Sequence, residues 1–324
     1  MLDLARLQAI RLRPRPLFQR VVGTVFLMPS FYLPFRRTHI VLEGAEHLPR
    51  GGAILIMNHT DRYNYWPLQY KLWRLGLGFT ATWVKGKYYE HPLLAWFMDA
   101  TNNIPVPSKG YLLSKDFSAL HRRLPDPTEY AALRRIADGH TVPEAEVPPA
   151  VRALLEAPCP DVPSGRYLDG LRARYAAMMR CVVALSRQAL EMGLHLLIFP
   201  EGTRSRRLGR GRTGAAQMAL YTRAPVVPVG CNGSDLCYPG DSPLSRGGVI
   251  TYRIGAPMRA DGELAPFQIP VPFEPFTPSA EPHQATFQRL TDLFMDRINA
   301  LLDPPYQYDP DAPPDEPRGA ERFL

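Results

Sequence analysis

His195-Leu196-Leu197-Ile198-Phe199, running into Pro200-Glu201-Gly202-Thr203-Arg204-Ser205, is the stretch on which the fold turns. Its continuous apolar run is too short for a helix and reads as a strand buried on both faces, ended by the proline and glycine that follow. Upstream, Leu168, Leu171, Tyr175, Met178, Met179, Val182 and Leu190 recur at helical spacing and predict a helix over about 167–192, with Ser164 as a cap and Gly193 as its stop. Downstream the pattern predicts a helix over 214–222 and another apolar strand over 226–229. Strands buried on both faces and separated by helices are the pattern of a sheet with parallel neighbours.

Working outward, strands are expected over 39–43, 53–57, 79–84, 103–106 and 249–254, and helices over 64–75, 92–98 and 283–302. The expected fold class is α/β, a mixed, mostly parallel sheet flanked by helices. A chain of 324 residues can bury one large core of this kind, and no internal repeat divides it. The main domain is placed at 38–302. It is preceded by a basic and apolar segment, 1–37, and followed by a Pro-rich acidic tail, 303–324.

Composition narrows the function classes. With 45% hydrophobic and 21% charged residues the chain is neither disordered nor collagen-like nor a coiled coil. Its net charge of +7 points to an anionic partner: nucleic acid, a membrane surface or a phosphorylated substrate. Four cysteines without zinc spacing read as small buried hydrophobes, and no metal site is expected. There is no G-x-S-x-G and no G-x-x-x-x-G-K-[ST], which counts against a serine hydrolase or P-loop enzyme. The match of Gly209–Gly214 to G-x-G-x-x-G begins ten residues past its strand and is loaded with arginine, unlike a dinucleotide site.

Residues 17–35, LFQRVVGTVFLMPSFYLPF, are interrupted by Arg20, Pro29 and Pro34, so they cannot make an ordinary spanning helix. The double arginine Arg36-Arg37 follows where a secretory signal would have small residues. Arginines bordering an aromatic and aliphatic segment suit an element lying in a lipid interface. The competing reading is an amphipathic helix packed on the core.

Two loops carry candidate chemistry, each directly after a buried strand. Asn58-His59-Thr60-Asp61-Arg62-Tyr63-Asn64 offers His59 as a general base, with Asp61 or Asn64 to orient its ring. Glu201-Gly202-Thr203-Arg204 offers a close backbone approach and anion donors, and Arg206, Arg207, Arg210 and Arg212 follow. Carboxyl ends of strands in α/β sheets are where ligands bind.

Taken in order, Gly44-Ala45-Glu46-His47-Leu48-Pro49, Asn58-His59, Phe199-Pro200-Glu201-Gly202-Thr203-Arg204-Ser205 and Ala224-Pro225-Val226-Val227-Pro228-Val229 resemble the glycerolipid acyltransferases, the 1-acylglycerol-3-phosphate (lysophospholipid) acyltransferases and their relatives. The resemblance covers roughly residues 38–109 and 170–256. It implies transfer of a fatty acyl group from an acyl thioester, acyl-CoA or acyl-carrier protein, to the hydroxyl of a lysophosphatidate-like acceptor, with no cofactor. It gives His59 the role of base. Glu201, Gly202, Thr203 and Arg204 inherit a part in holding the acceptor's glycerol phosphate, and Arg212, two before Gly214, matches a further basic substrate-binding residue of the family. The partners it implies are these substrates and a membrane surface, with the chain peripheral or monotopic on the cytoplasmic face. Nucleic acid rests on charge alone and is not expected.

Three departures from the family pattern stand out. The position five after His59, usually Asp, is Asn64, which accepts a hydrogen bond from the ring but brings no charge. Where an acceptor-binding Arg usually ends the Asn103–Ser108 block stands Ser108, with Lys109 as the expected substitute. About 90 residues separate Lys109 from Phe199, so a Pro-rich helical insertion, about 110–165, is expected as a lid or partner-binding appendage. The first two departures motivate an alternative: a catalytically weak or inactive lipid-binding protein retaining the fold.

Overall fold

The computed structural model describes residues 2–27, 37–158 and 166–309. Cys159, Ser164, residues 28–36 of the amino-terminal segment and the tail from residue 310 lie outside the described residues.

The described residues form a seven-stranded sheet. Its strands are β1 Thr38–Glu43, β2 Ile54–Met57, β3 Thr80–Lys85, β4 Asn103–Val106, β5 His195–Ile198, β6 Val226–Asn232 and β7 Gly248–Ile254. Their spatial order is β1-β7-β6-β2-β5-β3-β4. Every neighbouring pair is parallel except β6 and β7, which run antiparallel. The sheet is therefore mixed and mostly parallel, as the sequence leads one to expect. Along β2, Ile54 and Ile56 enter one core while Leu55 and Met57 enter the other, the two-residue period of a strand with both faces covered.

The helices are α1 Leu4–Ala9, α2 Leu17–Val22, α3 Trp66–Arg74, α4 Pro92–Ala100, α5 Lys109–His121, α6 Pro127–Ala137, α7 Pro149–Glu156, α8 Tyr167–Glu191, α9 Gly214–Thr222 and α10 Gln284–Asn299. The larger core joins α8, α9 and α10 to one face of the sheet through Met178, Val182, Met218, Phe287 and Phe294. The smaller core lies on the other face, where Leu68 and Leu72 of α3 meet Tyr63, Tyr238 and Tyr252.

Two expectations change. Leu2, Leu7, Ile10 and Leu12 are buried in the larger core, and α1 lies against α8, so the first dozen residues pack as part of the domain. The insertion is likewise built in rather than appended. Asp126 and Glu129 form a capping box at the start of α6, and Phe117, Leu133, Val151 and Leu154 share the core with Met178. Proline marks the starts of α6 and α7, where its missing N–H costs nothing, so a Pro-rich stretch still makes helices.

Candidate active site

Strands β2, β5 and β3 are consecutive parallel neighbours, so the loops leaving their carboxyl ends converge. His59 lies two residues past β2, Glu201 three past β5, and Lys85 is the last residue of β3. Residues 142 apart in sequence thereby come within hydrogen-bonding distance: the His59 backbone N–H donates to Glu201 Oε1 at 2.8 Å. The Ser205 N–H donates to the His59 carbonyl at 2.9 Å, tying the two loops a second time.

The His59 ring stacks on Phe199, with centroids 4.0 Å apart and planes inclined by 21°. Its Nδ1 lies 3.2 Å from Asn64 Oδ1. Burial brings the His59 pKa down to about 3; the bond to Asn64 opposes this, while the nearby cations Lys85 and Arg204 add to it. The imidazole is accordingly neutral around pH 7. Asn64 is the residue that orients it. Asp61 is turned away: its carboxylate accepts from the Tyr63 N–H at 2.8 Å and from Thr60 Oγ1 at 2.9 Å. Burial raises the Asp61 pKa against these bonds. Asp61 thus shapes the loop, and its two acceptors are spent there.

Glu201 is almost fully buried, and both carboxylate oxygens are engaged by backbone. Oε1 takes the His59 N–H, and Oε2 takes the Gly209 N–H at 2.9 Å. This arrangement has the carboxylate, whose loop the resemblance assigns to holding the acceptor's glycerol phosphate, bracing the two loops. Gly202 adopts φ +66°, a conformation that favours glycine, and a Cβ there would stand 2.9 Å from the Arg212 side chain, which would have to shift. Arg212 crosses this glycine, with its Nε 3.4 Å from the Glu201 carbonyl. Thr203 is half-buried and Arg204 exposed at the mouth of the loop.

Lys109 does not supply the missing arginine's charge at His59. It opens α5, where Ser108 caps the helix by accepting the Tyr111 N–H, and its ammonium lies 3.9 Å from Asp138 of the insertion. The cations felt at the site are others. Lys85 and Arg204 act on His59, and Arg62 and Arg204 act on Lys87, whose pKa burial and these charges lower. Sequence reasoning missed Lys85 and Lys87, although a lysine closing an apolar strand beside the His59 and Glu201 strands was the available signal. It also overcounted the arginine run. Arg206 pairs with Asp235 and Arg207 with Asp309, both at 3.7 Å. Gly211 needs its glycine because a Cβ would collide with Thr291 and Met295 of α10 at 2.5 and 2.7 Å, a packing reason for the G-x-G-x-x-G match.

Among the described residues no group of three or more His, Cys, Asp or Glu side chains is arranged to hold a metal ion. The arrangement can do one kind of chemistry: accept a proton at His59 beside a cluster of cations suited to a phosphate.

Comparison with known proteins finds partial matches to acyltransferases. Residues 166–232, which span α8, β5, the Glu201 loop, α9 and β6, match the Acyltransferase family model. A curated 1-acyl-sn-glycerol-3-phosphate acyltransferase from Cocos nucifera is 34% identical over 92 residues, 28% of this chain. The match spans 30% of that relative's length. A solved structure, the 1-acyl-sn-glycerophosphate (LPA) acyltransferase PlsC from Thermotoga maritima, is similar at 17% identity and a TM-score of 0.39, covering 87% of this chain and 95% of that one. The family model and the curated relative each match less than a third of this chain, and they are what it is similar to.

Proposed function

We propose that this protein transfers a fatty acyl group from an acyl thioester, acyl-CoA or acyl-carrier protein, to the hydroxyl of a lysophosphatidate-like acceptor. The observation that carries the reading is the neutral His59 ring, held by Asn64, beside Lys85 and Arg204. The cations hold the acceptor's phosphomonoester and bring its hydroxyl to His59 Nε2. Nε2 takes the hydroxyl proton as the oxygen attacks the thioester carbonyl. The tetrahedral intermediate collapses, the carbon–sulfur bond breaks, and the thiolate leaves with the proton returned by the imidazolium. Ester and free thiol are the products.

The acceptor reaches the site from a membrane surface on this reading. No helix among the described residues is long and apolar enough to cross a membrane. An apolar face is nevertheless exposed: Leu17, Val21 and Val25 in and after α2, and Leu93 and Trp96 on α4, joined by Phe18 stacked edge-on against Trp96 at 5.1 Å. Arg13, Arg15 and Arg20 are exposed beside it and suit anionic headgroups. Helix α4 starts five residues after Lys87 in the chain. Attachment is peripheral or monotopic, on the cytoplasmic face.

The test is turnover of labelled acyl-CoA or acyl-carrier protein with lysophosphatidate, beside His59→Ala. Acyl transfer lost on the substitution supports the reading. Equal turnover in both proteins overturns His59 as base. Lipid binding without turnover in the wild type favours the alternative of a non-catalytic lipid-binding protein, which Asn64 and Ser108 motivate.

A further inference from the structure

We infer that the connection from β6 to the start of β7, residues 233–249, is a second lipid-contacting surface beside the site, apart from the face of α2 and α4. The inference rests on the proposed attachment of this chain to a membrane.

Topology sets where this connection lies. β6 runs parallel to β2 and antiparallel to β7, and β1 runs parallel to β7. The carboxyl end of β6 and the amino ends of β7 and β1 therefore lie at the edge of the sheet from which the His59 loop leaves. At that edge Leu236, Leu244 and Val249 are 65%, 46% and 55% exposed. The backbone that carries them is pinned. Cys237, Tyr238 and Ser245 are buried between them, and Ser245 Oγ lies 2.7 Å from Thr38 Oγ1. The Arg246 N–H donates to the Cys237 carbonyl at 2.8 Å, and the Gly248 N–H to the Arg37 carbonyl at 3.0 Å. Three large apolar side chains held out together on a fixed loop mark a contact surface rather than scattered exposure.

Charge selects the partner. The two carboxylates of the connection are each paired: Asp241 with Arg62 at 3.0 Å and Asp235 with Arg206 at 3.7 Å. Arg37 and Arg246 stand exposed beside the leucines and leave the rim positive. Apolar side chains bordered by arginines suit an anionic bilayer, whose interface takes in the apolar groups while its phosphates meet the guanidinium groups.

The surface is also continuous with the proposed face of α2 and α4. Ring contacts lead from Tyr238 to Tyr63 at 5.7 Å, on to Trp66 at 5.1 Å, Phe97 at 5.9 Å, Phe18 at 5.8 Å and Trp96 at 5.1 Å between centroids. One contact with a bilayer leaves a protein free to swing about it. Contacts at both ends of this row fix how the His59 loop faces the lipid.

The experiment measures amide hydrogen exchange of the full chain, alone and with vesicles of phosphatidylcholine and phosphatidylglycerol. Alongside it, vesicle sedimentation compares the wild type with Leu236→Ser combined with Leu244→Ser, and with Arg246→Ala. Vesicles are expected to slow exchange over 236–249 as well as over 17–25. The serine pair should partition about tenfold less or weaker still, and Arg246→Ala roughly fivefold less at low salt only. Slowed exchange over 17–25 with 236–249 unchanged, or a serine pair that partitions as the wild type does, overturns the inference and leaves membrane attachment standing. A chain that binds no vesicles overturns both. Self-association in sedimentation velocity that the serine pair abolishes, with 236–249 unprotected by lipid, makes the surface a contact between copies and overturns the inference too. Exchange in the wild type decides the matter even if the serine pair fails to fold.

Discussion

Glu201 holds the backbone of His59: its Oε1 accepts the His59 N–H at 2.8 Å while its Oε2 accepts the Gly209 N–H at 2.9 Å. One buried carboxylate therefore fixes the position of the candidate base relative to the loop carrying Arg204. Glutamine keeps the volume but turns one acceptor into a donor, which then confronts an N–H. Glu201→Gln is expected to lose about 1–3 kcal/mol of stability. It should also lower kcat and raise KM for the phosphorylated acceptor together, since both loops lose their reference. Denaturant unfolding and steady-state kinetics check this; wild-type values in both would show the brace to be dispensable.

The cations at the mouth lead to a second expectation. Arg204→Ala and Lys85→Ala each remove a charge that acts on His59. Each should weaken a phosphomonoester acceptor by about 1.5–3 kcal/mol, roughly tenfold or more in KM. An acceptor of the same chain length without the phosphate should show no such change. Lys109→Ala, which breaks only the 3.9 Å pair with Asp138, should leave KM as it was. A raised KM in Lys109→Ala would return that lysine to the site.

Most of the sheet was legible because β2, β5 and β6 are buried on both faces and so are written as apolar runs, and the strand at Asn103–Val106 and the helix at Gly214–Thr222 fall where the pattern puts them. The paired loops after β2 and β5 were legible for the same reason. What sequence order hides is which oxygen meets which nitrogen. The two backbone partners of Glu201 are invisible in the sequence, and Asp61 stands beside Asn64 as a candidate to orient the ring until Thr60 and Tyr63 are found on it. The insertion was misjudged because proline content reports on helix starts as well as on loops. The core role of Leu7 and Leu12 was masked by Arg11 between them and Arg13 just after, which stand on the exposed side of the same segment.

Two histidines make stability depend on pH in a definite direction. His59 and His195 both have pKa values lowered by burial, His59 to about 3; His195 keeps a bond from Nε2 to the Leu77 carbonyl. Unfolded, each titrates near 6.5. Below about 6.5 the unfolded chain binds the more protons, so stability rises with pH up to that value and is lost as pH falls through it. Each ring contributes at most ~1.4 kcal/mol per pH unit. Unfolding at pH 7.5 and 5.5 should show the loss, and His195→Gln, which can still donate to Leu77, should flatten it. An unflattened slope would remove His195 from the account. The rate of folded enzyme should stay level between pH 5 and 7 once the acceptor's own second ionisation near 6 is allowed for.

The exposed face of α2 and α4 sets the last expectation. Leu93 and Trp96 are 68% and 56% exposed, and Leu17 is 63% exposed, values at which substitution costs the fold little. Water gains nothing from such residues, whereas a bilayer interface gains about 1.5–3 kcal/mol for each large apolar side chain it takes in. Leu93→Ser combined with Trp96→Ser should therefore reduce partition onto anionic vesicles by a factor of ten or more while leaving the unfolding midpoint unchanged. Arg13→Ala and Arg15→Ala should weaken the same partition only at low salt, because their attraction to headgroups is screened over about 10 Å at 0.1 M. Turnover of a short-chain acceptor dispersed in detergent should survive all four substitutions, since none touches His59, Lys85 or Arg204. Vesicle sedimentation and the blue shift of Trp96 emission measure the binding. If the serine pair sediments with vesicles as the wild type does, the acceptor must reach the Lys85 and Arg204 cluster by a route that does not pass this face.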